Sequence, residues 1–145
     1  MPSSWQRAFG RRNDQPEIAK LAPGLKRPAP LHGFRHEWES LRRLDAAGVV
    51  APSNIPKEVN LLWRDLLFHF VGGHHGHLRP SIEGSGLTPD IESDKQNPLR
   101  LEAANRFICL QGLFGRWRLA YFEALLKTAD AEASRFLAEE EDDEA

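Results

Sequence analysis

Residues 56–71 read PKEVNLLWRDLLFHFV, and this stretch decides the fold class. Pro56 suits the start of a helix, because its missing N–H would have no intrahelical partner there. Large apolar side chains then recur at helical spacing over a wide face, at Val59, Leu62, Trp63, Leu66, Leu67 and Phe70. This spacing predicts an amphipathic helix that packs against other helices and stops at Gly72-Gly73.

Three further helices are predicted around this one. Residues 35–47 carry apolar side chains near i, i+3, i+4 spacing and end close to Gly48. Residues 99–114 follow Pro98, and residues 116–137 follow Gly115. The stretch 74–97 is polar with scattered Gly and Pro, which indicates a long loop that contains histidines. Because no segment has a strand pattern, we expect an all-α fold.

Composition divides the chain into three parts. Residues 1–31 are polar and rich in Pro and Gly, so we expect an irregular segment. Residues 32–138 carry the helical pattern and form the predicted domain, and residues 139–145 form an acidic tail expected to be disordered. With 41% hydrophobic and 28% charged residues, the 145-residue chain is typical of one globular domain. A net charge of −2 restricts any nucleic-acid contact to a local patch.

Cysteine content and apolar run length suggest the compartment. Cys109 is the single cysteine, so an intrachain disulfide and a cysteine-rich zinc site are excluded. No apolar run reaches signal-peptide or membrane-spanning length. We therefore expect a cytoplasmic protein without a membrane partner.

The most informative motif is the run 71–80, VGGHHGHLRP. Here an apolar helix ends in glycines and is followed at once by His74 and His75. Neutral imidazole is the commonest protein ligand for borderline first-row metals, and flanking glycines let the backbone turn. Exposed loop histidines are an equally reasonable interpretation, and His77, beyond Gly76, is interpreted as a bystander.

Two other positions could supply metal ligands. His36 lies in the first turn of the first helix, where Glu37 could orient its ring or simply favour the helix N-terminus. Asp130 follows an apolar helical stretch and lies near its core-facing side. A satisfied helical histidine and an amphipathic boundary residue are the commoner explanations of such positions.

Taken together, these motifs resemble the CRISPR-associated HD nuclease domain of type I systems. The resemblance rests on Phe34-Arg35-His36-Glu37, His74-His75-Gly76 with Arg79-Pro80, and Ala129-Asp130 with Ser134. The helix that leads to the family's last aspartate is resembled by Gly115-Arg116-Trp117 with Glu123-Ala124-Leu125-Leu126. The stretch that follows its His-Asp motif is resembled by Trp5-Gln6 with Ala19-Lys20. The likeness implies a helical HD-type domain with metal ligands at His36, His74, His75 and Asp130. It also implies that Glu37 and Arg79 support the metal or the substrate.

The same resemblance implies a function. Members of that family cleave single-stranded DNA in antiviral defence, alongside a CRISPR effector helicase or surveillance complex. Two divalent metal ions activate water and clamp the phosphate. The expected ion is a transition metal, with Mn, Ni, Co, Fe and Zn all compatible with nitrogen and carboxylate ligands.

One departure from the family is informative. The family begins with an earlier His and a His-Asp pair, whereas no histidine precedes His32 here and no His-Asp dipeptide occurs. The expectation is therefore an N-terminally truncated domain that holds one ion loosely, exposes an apolar groove and cleaves DNA poorly alone.

Two alternatives stay open from the sequence. The first is a non-catalytic helical interaction module, or a split subunit that another chain completes. The second is a helical protein unrelated to nucleases, in which His74, His75 and His77 bind one structural metal or none.

Overall fold

The protein is all-α, as the sequence predicted. The computed structural model describes residues 33–76 and 82–143, with side chains as far as Phe136. Within these ranges the chain forms four α-helices and no strand: α1 His36–Ala46, α2 Asn60–Gly73, α3 Ser93–Phe114 and α4 Arg116–Asp143. Short 3-10 turns occupy Lys57–Val59 and Gly84–Gly86. No helix in the described part is long and apolar enough to cross a membrane.

The helices pack largely in chain order, α1 on α2, α2 on α3 and α3 on α4, with a smaller contact between α2 and α4. Trp38 and Leu41 of α1 are fully buried and meet Phe68 of α2 at the centre of the core. The loop between α2 and α3 adds Ile82 and Leu87 to the same cluster. The loop before α3 is therefore part of the core.

The deepest face of α2 differs from the predicted one. Phe68, His69, Gly72 and Gly73 are buried, whereas the predicted apolar residues are only partly buried and Val59 is 40% exposed. Phe68 lies in one core cluster with Trp38 of α1, and His69 contacts α3 and α4, so burial follows tertiary position and not the centre of the apolar face. A polar residue, His69, thus occupies a core position.

The start of α3 corrects the predicted loop, which ends at residue 92 and not at 97. The helix begins at Ser93, so Pro98 lies inside it. The side chain of Gln96 explains the extra turn, because its Nε2 donates to the carbonyls of Thr88 and Ile91 at 3.1 and 2.8 Å. Its Oε1 accepts from Trp38 Nε1 at 2.7 Å and from the Thr88 N–H at 3.1 Å. These long-range bonds offset the backbone bond that a proline removes.

The helix α4 extends further than predicted. Gly115, with φ of 76°, separates it from α3 in a conformation that favours glycine. The helical backbone continues to Asp143, past the predicted end at residue 137, and the disorder expected for residues 139–145 stays a prediction. The predicted irregular segment 1–31, together with His32, His77 and Arg79, lies outside the described residues.

Candidate metal centre

The start of α1 packs against the 84–86 turn and is hydrogen-bonded to it. Phe34 is buried, and the Arg35 N–H donates to the Gly86 carbonyl at 3.1 Å. Gly33 has φ of 82°, and a Cβ there would meet Ser85 Cβ at 2.9 Å, so only glycine permits this approach. These contacts hold His36, the first residue of α1, at a defined place on the surface.

The end of α2 presents the other two histidines. The helix stops at Gly73, and the Gly76 N–H donates to the Gly73 carbonyl at 2.7 Å, which closes a tight turn. Gly76 has φ of 77°, a value that glycine tolerates without strain. Because α1 packs against α2, this turn places His74 and His75 beside His36.

The three imidazoles form a compact cluster. His36, His74 and His75 each offer a ring nitrogen within 4.8 Å of the others, and His75 Nε2 lies 3.1 Å from His36 Nε2. Two nitrogens that share an ion at the usual Zn–N length of about 2.0–2.1 Å would lie roughly 3.0–3.4 Å apart. The His36–His75 separation therefore fits either a hydrogen bond between rings or a shared metal ion.

Neighbouring groups orient two of these rings. His74 Nδ1 lies 2.9 Å from the Val71 carbonyl oxygen, which can only accept, so Nδ1 carries the proton and Nε2 keeps its lone pair. His36 Nδ1 lies 3.5 Å from Glu37 Oε2, a contact that is longer than a good hydrogen bond. Glu37 is 2% exposed, and its Oε1 has no hydrogen-bond partner among the described residues. Carbonyl and carboxylate partners of this kind commonly fix the ring orientation of metal-binding histidines.

Asp130 is not part of this cluster. It lies on α4, where the Ser134 hydroxyl donates to the Asp130 backbone carbonyl at 2.7 Å. The described set with ligand atoms within 4.8 Å contains the three histidines alone. The role of Asp130 as a ligand therefore stays a prediction, as does that of Arg79, which lies outside the described residues.

A pocket of about 300 Å³ adjoins the cluster, between the end of α2 and one face of α4. It is lined by Gly73, His74, His75 and Gly76 on one side, and by Ala120, Glu123, Ala124 and Lys127 on the other. The small residues leave room for a ligand, while Glu123 and Lys127 bring one charge of each sign.

His69 supports this pocket from inside the protein, and sequence reasoning missed it. Its Nε2 lies 2.7 Å from Glu123 Oε1, and its ring stacks on Phe107 with 5.8 Å between centroids. The sequence did contain an indication of this role, since His69 precedes Gly73 by one helical turn and so lies on the same face of α2 as that glycine. The apolar periodicity obscured it.

The donor set suits a divalent transition metal. Three imidazoles can bind Zn, Co, Ni, Mn or Fe, and the exposed thiol of Cys109 is not among the clustered residues. With three protein ligands, further coordination positions stay open to water or a substrate oxygen, as in catalytic metal sites. No protein-family model, curated protein or solved structure gave a match to this chain.

Proposed function

We propose that this chain is an HD-type metal-binding domain of the CRISPR-associated nuclease class, with His36, His74 and His75 holding a divalent transition metal. Its proposed substrate is single-stranded DNA, cleaved in antiviral defence with an effector helicase or surveillance complex. The single observation that carries the proposal is the 3.1 Å approach of His36 Nε2 to His75 Nε2. These residues are 39 positions apart in sequence, and the resemblance had assigned both to one metal site.

The surroundings of the cluster support phosphodiester chemistry. A bound divalent ion would polarise a phosphoryl oxygen and make water more acidic. Lys127, in the wall of the adjoining pocket, is placed to attract a phosphate group. Glu37 would keep the His36 ring in a ligating orientation.

Metal binding by matched histidine variants tests the proposal. Wild-type protein, His75→Ala and His77→Ala are titrated with Co²⁺, and absorption spectra and calorimetry report binding. We expect wild type and His77→Ala to bind one ion with similar affinity. His75→Ala should bind at least about 100-fold more weakly, because losing a direct ligand costs more than losing a supporting partner, which costs about 10–100-fold. Equal binding by His75→Ala would refute the metal site, and loss of binding in His77→Ala would favour a different set of three histidines.

A non-catalytic interaction module is the second candidate, and the surface of α4 favours it. Trp117 is 90% exposed, Tyr121 59% and Leu125 51%, so three large apolar side chains follow one another at four-residue intervals. Exposed apolar stripes of this kind often mark association surfaces. Sedimentation analysis of wild type and Trp117→Ser separates the candidates. A metal-independent dimer that Trp117→Ser dissociates would favour the interaction module, whereas a monomer that binds metal would favour the HD-type assignment.

A further inference from the structure

Glu123, in the wall of the pocket beside the histidine cluster, forms a buried acid–base pair with His69 that the proposed ligand set does not use. His69 is 4% exposed and the Glu123 side chain 10% exposed, with 2.7 Å between Nε2 and Oε1. An ionised carboxylate only accepts hydrogen bonds, so the proton between them is donated by His69. The bond joins the first third of α4 to the last turns of α2, just before the turn that carries His74 and His75.

Burial of this pair costs the folded state free energy. Removing a carboxylate from water is unfavourable, and a hydrogen bond to an imidazole offsets this only in part. The His69 ring has no freedom to move away, because it lies between Phe107, Phe70 and the α2 backbone near Gly73. Glu123 is therefore held in one orientation, in the wall of the same pocket as His74 and His75.

Electrostatics indicate what that fixed carboxylate can do. Three neutral imidazoles leave the full double charge of a divalent ion uncompensated, and Lys127 adds a further positive charge to the pocket. Glu123 is outside the group of atoms within 4.8 Å, so direct coordination is not its expected role. A carboxylate across a pocket of this size can contact the ion through an intervening water.

We propose that Glu123 is an outer-sphere metal ligand that binds the ion through water, and that His69 is the positioning residue that holds it. This inference rests on the proposed metal site. It adds an anionic group that the family resemblance did not assign.

A double-mutant cycle on metal affinity tests the proposal. Wild type, Glu123→Gln, His69→Phe and the double variant are titrated with Co²⁺, while Glu132→Gln serves as an exposed carboxylate control on the same helix. Gln keeps the shape of Glu123 and a hydrogen-bond acceptor for His69, and Phe keeps the ring stacked on Phe107. We expect Glu123→Gln to weaken Co²⁺ binding by about tenfold or more, the usual effect of losing a supporting partner.

Coupling between the two residues is the discriminating readout. If His69 acts through Glu123, His69→Phe also weakens binding, and the double variant binds no more weakly than Glu123→Gln alone. If the pair is purely structural, these substitutions lower the melting temperature of the metal-free protein and leave its Co²⁺ affinity unchanged. That result would overturn the proposal. If Glu123→Gln is unfolded without metal, the Co²⁺ affinity of His69→Phe decides between the two outcomes.

The wild-type titration separates this inference from the proposed function. Wild-type protein that binds no Co²⁺ overturns both. Wild-type binding that His75→Ala weakens and Glu123→Gln does not would leave the three-histidine site standing and reject the outer-sphere role of Glu123.

Discussion

Glu39 stabilises the link between α1 and the loop before α3. Its carboxylate accepts hydrogen bonds from Arg42 Nε at 2.8 Å, Arg43 Nε at 2.8 Å and Thr88 Oγ1 at 2.7 Å. Burial alone would raise the pKa of Glu39, but these hydrogen bonds outweigh it and hold the pKa at about 2. The ionised form is therefore the one that folding favours.

This pKa predicts how stability changes with acidity. Because the folded pKa is below the unfolded value of about 4.3, the unfolded state binds more protons between the two. The contribution of Glu39 is fully present above the unfolded pKa and is lost as the pH falls towards about 2. We expect Glu39→Gln to reduce the free energy of unfolding near neutral pH by about 1–3 kcal/mol.

Urea unfolding of wild type and Glu39→Gln at neutral pH and near pH 3 measures this effect. The gap between the two proteins should shrink in acid, and Glu58→Gln, an exposed change, should leave stability almost unaltered at both. A gap that stays constant with pH would contradict the assignment.

At the scale of the helices, Gln96 determines where α3 begins. Gln96→Ala leaves the buried Trp38 Nε1–H and the Thr88 N–H without their acceptor. We expect a loss of about 2–4 kcal/mol, since each buried group left unpaired costs about 1–3 kcal/mol. Hydrogen exchange should accelerate most at Thr88, because its N–H loses the Gln96 Oε1 acceptor. Asn97→Ala, at the exposed neighbouring position, is the control, and equal destabilisation by both would argue against this role.

The contact between α2 and α3 contains a buried cation. The Arg106 side chain is 4% exposed, its Nε lies 3.3 Å from Asp65 Oδ1, and its guanidinium lies 5.0 Å from the centre of the Phe68 ring. Burial lowers the pKa of Arg106 and Asp65 works against that shift, so the carboxylate supports the charged form. Arg106 Nη1 has no hydrogen-bond partner among the described residues.

This arrangement predicts unequal effects of the two partners. Asp65→Ala should cost at most about 3–5 kcal/mol, because the buried Arg106 guanidinium keeps only the exposed Glu102 carboxylate, 3.9 Å from its Nη2, as a counterion. Arg106→Met removes the charge and keeps an apolar stem over Phe68, so we expect a clearly smaller loss. Thermal and urea unfolding of the two variants measure the difference. If Arg106→Met were more destabilising than Asp65→Ala, the buried cation would contribute net stability.

At the scale of the whole molecule, the proposed metal site lies where α1 and α2 meet, and α4 forms the far wall of the adjoining pocket. The sequence contains no His-Asp dipeptide, which would supply further ligands in the proposed HD-type nuclease class. Two-ion clamping of a phosphate is therefore not expected from these 145 residues. We predict that the purified chain binds metal but cleaves single-stranded DNA no faster than His75→Ala, in the presence of Mn²⁺, Ni²⁺ or Co²⁺.

A single-turnover assay with labelled single-stranded DNA measures this. Cleavage by the wild-type chain that His75→Ala abolishes would mean that one metal site of this composition is sufficient, and the chain would then be a complete enzyme. Cleavage that persists equally in both proteins would indicate a contaminating nuclease.

Local sequence determined the helices of the described part and the all-α class, because helical periodicity and glycine stops act over a few residues. It also indicated His74 and His75 as candidate ligands, since glycines around paired imidazoles are a local pattern, whereas His36 was added by the family resemblance. The boundary at Ser93 could not be predicted in this way. It depends on Gln96 bonding to Trp38, which is 58 residues distant in sequence.

Tertiary structure alone decided which polar groups surround the site. His69 belongs to an apolar helix by its neighbours, and Glu123 belongs to an amphipathic one, so neither stands out from its own segment. Only the packing of α2 against α4 brings them within 2.7 Å and places Glu123 in the pocket wall. Likewise, the approach of His36 to His75 requires α1 to pack on α2. Such contacts join residues far apart in sequence, and local periodicity carries no information about them.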